Sequence, residues 1–309
     1  MVYISLVVLG LNAARELMYI GLRMNKQGVF EKYNTMFLKE NNYDVLFMGS
    51  SRAETHFDTR IFDSVTGRNS YNIGVTGATP RIAYKVLKAY CSKSKLPQHL
   101  IFDVDLHFLK YGVDTIRHFP RYFPYLDDEV LLKEFNGIDN RFESFKYNPF
   151  YSLPFSNLRL LSASLHGWFN IPGKYDSLYY KGFAKPDFAK GLEVSPMRKF
   201  YGYFNCEERQ YLDSIIKFSK KNNIKLMLIT SPMALEVKTE FINKKQISEQ
   251  IKNIAFINNI QYHDLSETPF SDDPKRFTDY YHMTTLGAEA FTRLFSAHFS
   301  QYFDKKVVN

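Results

Sequence analysis

The chain has little cysteine, one tryptophan, no long basic run and no apolar stretch of full membrane-spanning length. Its two cysteines, Cys91 and Cys206, among 309 residues give neither a disulfide framework nor the spacing of a zinc site. No group of His, Cys, Asp and Glu has metal-ligand spacing, so neither metal nor cofactor is expected. Trp168, beside Phe169, reads as core and not as a sugar platform. The net charge of +8 is scattered through Lys217–Lys225 and Lys244–Lys252, as on solvated helix faces. With no nucleic-acid motif beside it, this excludes nucleic acid as the favoured partner. It suits an anionic membrane surface or an acidic polymer. Val2–Ala14 is nearly uncharged, but Arg15 and Glu16 end the run short of the roughly 20 residues that span a bilayer. It also lacks the basic start and cleavage site of a secretory signal. Residues 1–25 are therefore read as a truncated membrane anchor or an N-terminal helix.

Aromatics are plentiful, with 28 Phe and 22 Tyr. They are dense in 111–205, as in Phe119-Pro120-Arg121-Tyr122-Phe123-Pro124-Tyr125, a stretch read as an insertion or cap. On either side of it, short apolar runs alternate with helical periodicity. Strands are expected at Val45–Met48, Ser70–Ile73, Leu100–Val104, Ile224–Thr230 and Ile260–Leu265. Helices are expected after Asp58 and Thr79-Pro80, and over Glu207–Asn222, Phe241–Ile257 and Thr285–Phe303. Alternation of this kind predicts an α/β fold: a three-layer α/β/α sandwich on a parallel sheet, flavodoxin-like, forming a single domain over 40–309. Sites in such sheets form beyond the carboxyl ends of strands. Ser51, Gly74, Asp105 and Ser231 each follow an expected strand.

Two short motifs carry the chemistry. Gly49-Ser50-Ser51-Arg52 follows the first strand, a turn that exposes a hydroxyl, with Ser50 and Ser51 both eligible. Asp279-Tyr280-Tyr281-His282 precedes the last helix. Together they hold the parts of a serine nucleophile, its base and the base's orienter. The sequence is not Gly-x-Ser-x-Gly, so the α/β-hydrolase elbow does not apply.

The order of strand–Gly-Ser-Ser, strand–Asn72-Ile73-Gly74 and a terminal Asp-x-x-His resembles the SGNH, or GDSL-like, hydrolase superfamily over about 43–110 and 207–300. The resemblance implies Ser51 as nucleophile, His282 as general base and Asp279 as its orienter. It also implies oxyanion donation by the Ser51 and Gly74 backbone N–H groups. Ser50, Arg52, His56, Asn72 and Asp105 are the remaining candidates to line the site. The third family block departs from pattern: an asparagine is usual, whereas Ile101-Phe102-Asp103-Val104-Asp105-Leu106-His107 stands here. An ionised carboxylate accepts hydrogen bonds and does not donate them. Either another donor substitutes, Arg52 or a residue of the insertion, or turnover is slow, and Asp105 is expected to be structural.

The Gly-Ser-Ser block and altered third block are similar to the branch holding the D-alanyl transfer proteins of teichoic acid synthesis and SGNH partners of membrane-bound O-acyltransferases. An N-terminal anchor is usual there. The expected function is a serine esterase or O-acyltransferase on acyl esters of a cell-envelope glycan, through an acyl-serine. It would sit on the extracytoplasmic face, with a membrane-bound O-acyltransferase as a candidate partner. The alternative is a non-catalytic envelope protein on the same fold that binds glycan or a partner.

Overall fold

The computed structural model describes residues 2–106, 116–171, 179–186, 199–202, 204–237 and 241–303. His107 and parts of the 111–205 stretch lie outside the described residues. The chain forms two compact units, one of residues 1–41, 85–94 and 114–179 and the other of 42–84, 95–113 and 180–309. The N-terminal segment and most of the expected insertion thus share one unit.

That unit is helical among its described residues. It contains α1 (Val2–Met24) and α2 (Gly28–Leu38). α1 does not stop at Arg15 and Glu16, since both are good helix formers; their side chains lie 3.3 Å apart. Its 23 residues extend about 35 Å at the usual rise of roughly 1.5 Å per residue, so by length and composition it can cross a membrane. Val2, Ile4, Leu6, Val7 and Leu9 are exposed, whereas Met18, Tyr19 and Leu22 are buried.

The sheet unit follows, with β1 (Val45–Gly49), α3 (Ser51–His56), α4 (Thr59–Thr66) and β2 (Ser70–Asn72). α5 (Pro80–Cys91) begins in this unit and ends in the helical one. β3 (His99–Asp103) completes the first half.

The helical unit continues with α6 (Glu129–Asn136), α7 (Arg141–Tyr147), α8 (Pro149–Ser152) and α9 (Leu158–Phe169). Many of the aromatics are spent here: Tyr33, Tyr122 and Tyr125 pack with Phe37 and Phe135 at ring separations of 4.7–6.3 Å. α1 and α9 meet where side chains are smallest. A Cβ on Gly167 would lie 1.7 Å from the Gly21 carbonyl oxygen.

The sheet unit resumes with β4 (Tyr179–Tyr180) and β5 (Phe183–Ala184), a hairpin whose Lys181 and Gly182 have φ of 43° and 78°. Both values are positive, as the tight hairpin turn requires. α10 (Cys206–Lys221), β6 (Lys225–Thr230), α11 (Lys244–Ile257), β7 (Gln261–Asp264) and α12 (Thr285–His298) complete it.

The five long strands are parallel in the order β2-β1-β3-β6-β7, the flavodoxin-like order. Right-handed crossovers then place α3 and α4 on one face and α10 and α11 on the other. This is the three-layer α/β sandwich the alternation predicts. Phe47, Ile101, Met227 and Ile229 form one buried cluster with Phe57, Phe62, Phe291 and Phe295. Phe47 stacks on Phe57 at 4.7 Å and meets Phe62 edge-on at 4.9 Å.

In the register of the sheet, Gly49 pairs with Asp103 and Asp103 with Ile229. The residues just beyond those positions, Ser50-Ser51, Val104-Asp105 and Ser231, therefore leave the sheet side by side. Chain order reverses between β1 and β3, and a doubly wound sheet opens its crevice at that switch point.

Candidate active site

Gly49 makes the turn out of β1 possible. Its φ is 149°, and a Cβ there would lie 2.8 Å from the Asp103 carbonyl oxygen and 2.9 Å from the Ala53 Cβ. Only glycine takes that backbone conformation readily. Ser50 then caps α3, its Oγ accepting from the Arg52 N–H at 3.2 Å while donating to Asp105 Oδ2 at 2.8 Å. Ser50 is buried and its hydroxyl is committed. Of the two candidate serines, Ser51 alone is left half-buried at the first position of the helix.

Ser51 Oγ lies 2.8 Å from His282 Nε2. On the other side of the ring, His282 Nδ1 is 2.9 Å from Asp279 Oδ2 and 3.0 Å from Oδ1. A carboxylate can only accept, so Nδ1 carries the proton and Nε2 is free to accept from the serine hydroxyl. Desolvation pushes the Asp279 carboxyl upward, but the His282 hydrogen bond and charge, with the N–H groups of Tyr281 and His282, outweigh it. Its pKa falls below the ordinary value, and the aspartate stays ionised.

Two N–H groups were expected to face a developing oxyanion. That of Ser51 makes no hydrogen bond to a described residue, as befits the first turn of a helix. That of Gly74 donates to Asn72 Oδ1 at 2.9 Å. It can serve an oxyanion only if this bond is exchanged. Three residues on, Gly77 turns at φ 78°, and its N–H has no hydrogen bond to a described residue. Asn72 has a supporting part, donating through Nδ2 to the carbonyls of Ala53 at 2.7 Å and Phe57 at 3.3 Å. It ties β2 to the helix that starts with Ser51.

Arg52 and Asp105 sit on the inner side of the turn. Arg52 is 1% exposed. Its Nη2 donates to the Ser231 carbonyl and, at 2.9 Å, to Ser231 Oγ, and its Nη1 lies 3.6 Å from Asp105 Oδ1. The guanidinium is thus directed at the ends of β3 and β6. Asp105 meets the side chains of both Ser50 and Arg52.

Asp103, at the end of β3, and Ser231, which follows β6, complete the interior. Asp103 accepts from the Ser231 N–H at 2.9 Å and its Oγ–H at 2.7 Å. Burial raises the Asp103 carboxyl above its ordinary range, against the lowering by Arg52 and Ser231. His56 Nδ1 reaches Ser231 Oγ at 2.8 Å, and its Nε2 accepts from the Met283 N–H at 3.2 Å. Among the described residues, no three His, Cys, Asp or Glu side chains cluster as a metal site would require.

One protein-family model aligns with residues 195–304, a span that contains Asp279 and His282 but not Ser51. No curated protein matches the sequence. Among solved structures, a Bacteroides fragilis protein described provisionally as an acylhydrolase aligns over 86% of this chain and 90% of its own, at 13% identity and a TM-score of 0.43.

Proposed function

We propose that this chain is a serine esterase or O-acyltransferase of the SGNH type, with Ser51, His282 and Asp279 as its triad. The observation that carries this reading is the unbroken chain Ser51 Oγ–His282 Nε2 and His282 Nδ1–Asp279, at 2.8 and 2.9 Å.

As Ser51 Oγ attacks the acyl carbonyl, His282 Nε2 takes its proton and Asp279 holds the imidazolium in place. The Ser51 N–H stabilises the oxyanion. Collapse breaks the ester C–O bond, and His282 returns the proton to the departing alkoxide, leaving an acyl-serine. Water or a sugar hydroxyl then attacks, with His282 again as base, and Ser51 is regenerated. Catalysis of this kind depends on positioned donors and bases, and it needs no cofactor.

An acylated cell-envelope glycan is the substrate class that suits the net charge of +8 and a first helix able to cross a membrane. The same helix would hold the chain at the extracytoplasmic face beside a membrane-bound O-acyltransferase. A non-catalytic binding protein is the second reading, favoured by the engagement of Gly74 with Asn72 and of Asp105 with Ser50. Incubation with an activated acetyl ester separates the two. Catalysis predicts turnover that disappears in Ser51→Ala and His282→Ala. Wild-type turnover equal to both variants would leave only the binding reading.

A further inference from the structure

α3 is six residues long, with Ser51 at its first position and His56 at its last. Both ends meet the same loop. Ser51 touches His282, and His56 touches the next residue through the Met283 N–H. We propose that His56 is a positioning residue, which fixes the His282 loop to the helix of Ser51 by holding the Met283 N–H while Ser231 anchors the other side of its ring. The inference rests on Ser51 and His282 being nucleophile and base.

The hydrogen-bond inventory sets the direction of each bond. Ser231 has one hydroxyl proton, donated to Asp103 Oδ2 at 2.7 Å. Its oxygen therefore accepts from His56 Nδ1–H, which leaves Nε2 of the neutral ring as the acceptor for Met283. The ring is fully buried. Burial, reinforced by Arg52 and His282, holds its pKa well below the ordinary imidazole value, with the Tyr281 carbonyl alone pulling upward. The ring's backbone is fixed as well: Thr292 Oγ1 donates to the His56 carbonyl at 3.0 Å and accepts from the Asp58 N–H at 2.9 Å.

His56 is not a second base. Its Nε2 lone pair is occupied by Met283, and its ring centre is 6.5 Å from that of His282. What it supplies is a side-chain attachment, beside the Ala234 N–H on the Tyr280 carbonyl at 3.1 Å, for a loop whose catalytic imidazole is one-third exposed. Ser231 makes that attachment common to the whole site, since its Oγ also receives Arg52 Nη2 at 2.9 Å.

Two substitutions divide the ring's functions. In His56→Gln, the longer amide reaches the Nε2 position and can still receive Met283, but it abandons Ser231. In His56→Asn, the shorter amide keeps the Nδ1 position beside Ser231 and cannot reach the loop. The proposal predicts that the rate of Ser51 acylation by an activated acetyl ester falls about 30- to 100-fold in His56→Asn, the scale of an ångström's misplacement. His56→Gln should stay within about threefold of wild type, with the difference in kcat and not KM. Met283 amide exchange, followed by NMR, should quicken in the Asn variant only.

A residue needed merely to fill space and satisfy Ser231 would give the reverse ranking. That ranking, or unchanged Met283 protection in His56→Asn, overturns the proposal. Should His56→Asn fail to fold, Met283 amide exchange in His56→Gln serves instead: protection like that of wild type is expected, and exchange as fast as that of an unprotected amide would overturn the proposal. If wild type shows no Ser51-dependent acylation, the nucleophile reading fails by itself, and Met283 exchange still decides whether His56 holds the loop.

Discussion

Asn72 Oδ1 accepts the Gly74 N–H at 2.9 Å, and the same side chain donates to Ala53 and Phe57 on the nucleophile side of the sheet. One fully buried amide therefore serves three backbone groups. Asn72→Ala would leave all three without that partner. The expected destabilisation is about 2–4 kcal/mol, from a typical net contribution of roughly 0.5–1.5 kcal/mol for each of the three hydrogen bonds lost. Chemical denaturation of the variant against wild type measures it.

Gly49→Ala places a methyl 2.8 Å from the Asp103 carbonyl at a backbone φ of 149°. Strain and overlap together should cost about 2–4 kcal/mol. The turn carrying Ser51 must shift to relieve the clash, so activity should fall further than stability explains. Activity assays well below the melting point of the variant separate the two effects. Wild-type activity in Gly49→Ala would show that the turn tolerates a side chain.

His99 should make the sheet unit sensitive to acid. Burial, with Lys225 and Arg68, lowers its pKa to about 4. The folded value lies below the unfolded one, so between about pH 6.5 and 4 the unfolded chain binds more protons and stability rises with pH. The contribution is fully present above the unfolded pKa and is lost as pH falls toward the folded one. It amounts to about 3 kcal/mol for a shift of this size. His99→Gln should flatten unfolding free energy over that pH range. An unaltered slope would show that other groups govern acid unfolding.

Short local patterns were legible from sequence. Ser51 stands in one motif beside a strand end and Asp279 with His282 in another before a helix start, 231 positions on; only the resemblance of both motifs to one family joins them, and alternating apolar runs located the five long strands. Ser231 followed an expected strand, but its bond to Asp103 joins positions 128 apart. That pairing depends on strand register, which hydrophobic pattern does not specify. The engagement of Gly74 is likewise invisible, because a motif names a backbone donor without naming its acceptor. The helical unit draws on three separate segments and takes over the second half of α5, so the aromatic density that begins near 111 marks only one of its parts. α1 outruns its apolar stretch because Arg15 and Glu16 are good helix formers, so a change in polarity does not mark a helix end.

Asp279 should act through His282. Asp279→Asn keeps the shape of the side chain but can offer its own N–H to the ring and favour the wrong tautomer. The expected loss of kcat is about 10²–10⁴-fold. If Asp279 only braced the loop, Asn would restore most of the activity that Ala removes.

The most direct measurement is the mass of the protein during reaction with an activated acetyl ester. The account predicts one acetyl group on the peptide that contains Ser51, accumulating in wild type and absent in Ser51→Ala and His282→Ala. Ester turnover with no adduct on Ser51, or an adduct that forms equally without His282, would contradict it.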